Sequence, residues 1–173
     1  MKVEFQGGLD GLCGMYALVN AFMLFGHTDG EKVLREACRA LSQSRWPEVL
    51  TEGTTFGDMQ RMAKRCKEKL HTKNMEIRYP FKKNVPGTNK QYWERFDEIF
   101  SDEDAVCAII GIWEPAAHWI IAVHYDGHML FVDSTAGRPV SRKRRSSLYA
   151  GKRKARPTQW LIDPQELIVF YQV

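Results

Sequence analysis

Apolar side chains recur at three- and four-residue intervals through the first part of this chain and alternate, or run in short continuous stretches, through the second. From Cys13 to about Phe25 they are nearly unbroken, through Met15, Ala17, Leu18, Val19, Ala21, Phe22 and Leu24, and Gly26 follows. That pattern predicts a central helix covered on most sides. Asp29 is placed to cap a second helix over about 30–42, with Val33, Leu34, Ala37, Cys38 and Leu41 as its apolar stripe. Trp46 and Pro47 read as a connection. Thr55-Phe-Gly-Asp58 has the spacing of a capping box, and Met59, Met62, Ala63, Cys66 and Leu70 continue it as a helix over about 55–70. Lys64, Arg65, Lys67 and Lys69 read as its solvated face.

Met75 to Phe81 alternates as a short strand, the following KKNVPGTNK is a loop, and a short helix fits 89–99. Ala105 to Trp113 is a buried strand, and 114–117 a turn. His118 to Tyr125 then pairs with His128 to Asp133 across Asp126-Gly127, a two-residue hairpin signal. If Tyr125 faces His128, His118 faces Thr135 and Asp133 becomes the diagonal neighbour of His118 on the same sheet face. The stretch from Thr135 to Arg156 is irregular, with a strand around 147–149, and Glu166 to Tyr171 reads as a terminal strand. Helices first and an antiparallel sheet later predict an α+β fold, a single domain over 1–173, without internal repeats.

Composition narrows the class. An apolar content of 44%, a charged content of 27% and five tryptophans describe a folded protein rather than a disordered one. Neither a leader peptide nor a run long enough to span a membrane is apparent. Cys13, Cys38, Cys66 and Cys107 are widely spaced with no close CxxC pair, so reduced thiols are expected. The formal charge of +4 conceals an asymmetry: nine Lys or Arg and no Asp or Glu lie between Arg138 and Arg156, and the rest of the chain is net negative.

Chemistry gathers at Cys13. The glycine-rich approach Gln6-Gly-Gly-Leu-Asp-Gly-Leu delivers this cysteine to the start of the central helix, where backbone amides favour negative charge on the sulfur. Cys13 is therefore a candidate nucleophile toward an acyl carbon, His118 its proton acceptor and donor, and Asp133 the carboxylate that orients the imidazole. The Gln6 side chain and the Cys13 N–H are candidate donors to the oxyanion, and losing one such donor costs about 3 kcal/mol of transition-state stabilisation. Gly7, Gly8, Gly11 and Gly14 allow close approach. Asp10 reads as a turn cap or a substrate-positioning group, Trp119 as a cover over the histidine or a packing residue, and Asn20 as a polar core contact. His124 and His128 flank the hairpin turn away from His118, and no compact ligand set completes a zinc site. No cofactor is called for.

Gln6, Leu12-Cys13-Gly14, His118-Trp119 and Val132-Asp133-Ser134 resemble the papain-like cysteine peptidases, particularly compact bacterial domains similar to the C39 peptidases and papain-like interbacterial toxin domains. The resemblance implies a cysteine at the head of a central helix, a preceding glutamine in the oxyanion hole, and a histidine and acid on the following sheet. Those roles fall on Cys13, Gln6, His118 and Asp133. Two departures stand out: seven positions separate Gln6 from Cys13, one more than the usual spacing, and the basic C-terminal excursion is not part of the family signature.

Hydrolysis of peptide bonds in a protein substrate, through a thioacyl-enzyme, is thus the leading expectation. Glutamine deamidation or transglutaminase-like acyl transfer would use the same intermediate. A different class is a nucleic-acid-binding module built on segment 138–156, with Tyr149 and Trp160 as stacking faces; the same patch could instead guide an acidic or DNA-associated protein. Resemblance to toxin domains implies an effector secreted by a dedicated system, acting in the cytoplasm of a target cell and matched by an immunity protein; with no apolar run of membrane length, no membrane partner is expected.

Overall fold

The computed structural model describes residues 11–26, 29–125, 128–134, 140–141, 145–151, 156 and 159–173. Helices α1 (Cys13–Leu24), α2 (Gly30–Cys38), α3 (Trp46–Glu52) and α4 (Phe56–Lys69) come first. Strand β1 (Met75–Arg78) and helix α5 (Asn89–Phe100) follow, then β2 (Ala105–Glu114), β3 (His118–Tyr125), β4 (His128–Val132), β5 (Val140–Ser141), β6 (Leu148–Ala150) and β7 (Trp160–Gln172). The α+β expectation therefore holds.

Local chemistry starts most of the helices. Asp29 Oδ1 accepts from the Lys32 N–H at 2.9 Å and Thr88 Oγ1 from the Gln91 N–H at 3.2 Å. Thr55 and Asp58 form the reciprocal capping box at the head of α4. Helix α1 differs: Leu12 at its N-cap offers no side-chain cap, while nine of its twelve residues are buried, so tertiary packing rather than capping holds it. Each fully buried Leu, Phe or Met contributes roughly 1.5–3 kcal/mol. Gly26, at φ +82°, lets the chain leave α1 in a left-handed conformation.

The sheet runs β1-β7-β2-β3-β4-β5, antiparallel throughout this path, and β6 pairs parallel with the start of β7. Alternation along the strands feeds two apolar layers. Cys107, Ile109, Trp119, Ile121, Ile168 and Phe170 pack against α1, α2 and α4. Ala108, Ile110, Ile120, Ala122, Leu167 and Val169 face the other way, toward Tyr92, Trp93 and Phe96 of α5. Helix α1 thus lies on the sheet, with Phe22 edge-on to Phe170 at 6.2 Å between ring centres.

Several boundaries differ from the sequence reading. Trp46 and Pro47 open α3 instead of lying in a connection, because Pro47 stands in the first turn, where its missing N–H is not needed. Helix α2 stops at Cys38, and β1 at Arg78. Arg65 is not simply solvated: its Nε donates to Glu36 Oε2 at 3.0 Å and ties α4 to α2. The last strand begins at Trp160, six residues early, and the sheet is not wholly antiparallel. The expected β3–β4 register is present, with Tyr125 opposite His128; Thr135 lies outside the described residues.

Candidate active site

Cys13 occupies the first turn of α1 and is 6% exposed. Its own N–H is among those a helix start leaves without an intrahelical acceptor. Two glycines fix this end of the helix. The Gly11 N–H donates to Leu50 O at 3.0 Å, and a β-carbon there would fall 2.5 Å from Val49 O. A β-carbon on Gly14 would overlap Thr54 Oγ1 and come within 2.6 Å of the Met59 sulfur. The start of α1 is therefore seated against the end of α3 and the segment that follows it, backbone to backbone at Gly11 and against side chains at Gly14.

His118 is the first residue of β3, paired with Ile112 of β2, and Asp133 immediately follows β4. The hairpin brings their side chains together: His118 Nε2 lies 2.8 Å from Asp133 Oδ1, with the two side chains only 14% and 10% exposed. With Nε2 held by Asp133, Nδ1 is left for Cys13, which lines the same cavity as the ring. Burial works against the imidazolium, but the hydrogen bonds and charges of Asp133 and Cys13 outweigh it and push His118 up to about 9. The neighbouring Trp119 donates from Nε1 to Thr54 O at 3.0 Å and stacks on Phe56, so it packs α4 and the 54 loop against the sheet.

Cys13 and His118 open on a cavity of about 130 Å³, whose walls include Glu52, Thr54, Trp113, Trp119 and Glu166. On its other side, His118 borders an apolar depression of about 270 Å³ with Ile112, Pro115, Ala117, Asp133 and Trp160. The imidazole thus stands between two recesses.

Glu166 is the residue that sequence reasoning passed over. Ile110 pairs with Leu167 and Ile112 with Ile162, so residues 163–166 of β7 bulge opposite the single residue Gly111. Pro164 sits in this bulge, where a missing N–H spoils no ladder bond, and Asp163 Oδ1 accepts from the Gln165 N–H at 2.8 Å. The carboxyl of Glu166 lies over Gly111, where a β-carbon would overlap it. Burial, then the Asp163 charge, pushes Glu166 up to about 7. A signal was present: an isolated glycine inside the apolar run 105–113 marks a bulge or a close approach.

The other cysteines have different surroundings, and all four are free thiols. Cys66 points at Val33 O, and burial pushes it up to about 12. Burial also raises Cys38, which meets the Met15 sulfur, and Cys107, which lies inside the sheet. Asn20 is buried within α1, as a polar core contact would be. Gln6 and Asp10, with Gly7 and Gly8, lie outside the described residues, as do seven of the nine Lys and Arg residues of the basic segment. Of that segment, Arg145 pairs with Asp97 and stands 5.3 Å over the Trp93 ring, which engages it with α5. His124 is exposed. Among the described residues no three His, Cys, Asp or Glu side chains converge as metal ligands, and no helix is long and apolar enough to cross a membrane. No family model, curated protein or solved structure matches the chain.

Proposed function

We propose that the chain is a papain-like cysteine peptidase that cleaves a protein substrate through a Cys13–His118–Asp133 triad. The observation that carries this reading is the convergence of the three groups on one imidazole: His118 Nε2 lies 2.8 Å from Asp133 Oδ1, and the ring shares a cavity with Cys13 at the start of α1. His118 takes the proton of Cys13, and the thiolate attacks the scissile carbonyl. Negative charge moves to the carbonyl oxygen, which accepts from the Cys13 N–H and, on the family resemblance, from the Gln6 side chain. Collapse breaks the C–N bond as His118 protonates the departing amine, leaving a thioester on Cys13. Water, deprotonated by His118, then releases the acid and restores the thiol. Asp133 holds the ring and balances the imidazolium throughout.

The test is digestion of an unfolded protein mixture in heavy-oxygen water. Peptide hydrolysis puts the label at new C termini and creates matching new N termini. Deamidation would label glutamate formed from glutamine, and acyl transfer would give cross-links without label. Only the first outcome, lost in Cys13→Ala, supports the peptidase.

The toxin-domain resemblance extends the proposal to an effector acting in a target cell's cytoplasm and neutralised by an immunity protein. Expression in susceptible bacteria should then arrest growth with Cys13 intact and not with Cys13→Ala; harmless expression alongside detectable proteolysis would refute the effector role.

A further inference from the structure

Resting on the peptidase reading, we propose that Glu166 is a specificity-determining carboxylate and that the substrate presents a cationic group, an alkylammonium or guanidinium, to the cavity beside Cys13. Glu166 shares the cavity wall with Cys13 and His118, so whatever it binds lies within about one side chain of the scissile carbonyl. The fold is shaped around this carboxylate: a four-residue bulge in β7 brings it there, and Gly111 of β2 leaves room for it.

The charge of the walls selects the ligand. Glu52 and Glu166 are the carboxylates lining the cavity, no Lys or Arg lines it, and among the described residues no cation pairs with Glu166. A half-buried carboxylate without a counter-ion is held partly protonated, near 7 here, and an entering cation supplies the missing partner. The volume of about 130 Å³ suits one side chain. Trp113, on the cavity wall and 42% exposed, adds an aromatic surface against which an aliphatic stem or a guanidinium can lie. The cation has two possible sources, a Lys or Arg side chain or the free amino terminus of a short acyl segment.

Peptidyl acyloxymethyl ketones separate these. Probes carrying Lys, norleucine or Glu beside the reactive ketone, each N-acetylated or with a free amine, are reacted with the full chain and with Glu166→Gln. The rate of Cys13 labelling is followed by intact mass and peptide mapping. The acetylated Lys probe should label wild type about tenfold or more faster than acetylated norleucine, with the ratio falling to near one in Glu166→Gln. If the free-amine norleucine probe is the favoured one, with the same dependence on Glu166, the cation is the amino terminus. Equal rates for cationic and neutral probes on wild type overturn the proposal without recourse to any variant, as does a preference that persists in folded Glu166→Gln. Failure of every probe to favour Cys13 over Cys38, Cys66 and Cys107 overturns the nucleophile itself, and the specificity proposal with it.

Discussion

Asp133 holds His118 by Nε2, at 2.8 Å, which leaves the Nδ1 edge of the ring for Cys13, its neighbour on the cavity wall. The acid thus sets which edge of the imidazole meets the sulfur, and its charge helps to keep the ring protonated to about pH 9. A folded-state value above the ordinary histidine range contributes stability that is complete below about pH 6.5 and is lost as pH rises through about 9. In Asp133→Asn the His118 ring, followed by NMR, should titrate at clearly lower pH, and turnover should fall by about 10²–10⁴-fold. An unmoved titration midpoint would separate Asp133 from the pair.

Thiol reactivity should single out one cysteine. Cys13 stands at a cavity with an imidazole partner, whereas burial raises Cys38, Cys66 and Cys107. Brief treatment with a thiol-directed electrophile, mapped by mass spectrometry, should modify Cys13 at least tenfold faster than the others. His118→Ala should remove that advantage. Uniform labelling of all four would contradict the activated pair.

Gly14→Ala tests how Cys13 is seated. The added carbon would overlap Thr54 Oγ1 and crowd Met59, so either α1 or the 54 loop must shift. The expected cost is about 1–3 kcal/mol in chemical denaturation, with slowed Cys13 labelling in the fraction that folds. A neutral effect on both would show that close approach at this position is not required.

Asp58 anchors the wall behind the site. Its carboxylate is buried, accepts from the Thr55 N–H at 2.9 Å and from Arg45 Nη2 at 3.1 Å, and pairs with Arg61 at 2.6 Å. Burial opposes its charge, but the Thr55 and Arg bonds outweigh this and hold the carboxyl below its usual range. Its contribution is therefore present above the ordinary aspartate range and lost as pH falls through the depressed folded value. Asp58→Asn should cost about 1–2 kcal/mol at pH 7, and the difference from wild type should shrink in acid.

Much of the fold and the pairing of His118 with Asp133 could be read from the sequence, for local reasons. Asp126-Gly127 between alternating runs fixed the hairpin register, and Thr55 with Asp58 marked the start of α4. What escaped was set by long-range pairing. The start of β7 was hidden because Pro164 interrupts the strand pattern, and only pairing with β2 reveals residues 163–166 as a bulge. Glu166 was hidden with it, since its place beside Cys13 depends on Gly111, 55 positions away in the chain. Helix α3 is short, and its Pro47 reads equally well as a turn until the first helical turn is seen around it.

Mapping of new peptide N termini in a bacterial lysate treated with wild type, Cys13→Ala or His118→Ala tests whether the Cys13–His118 pair cleaves peptide bonds. Cleavage at a restricted set of sites should appear with wild type and with neither variant. Absence of wild-type-specific termini, or termini that persist when His118 is replaced, would contradict a peptidase working through the Cys13–His118 pair.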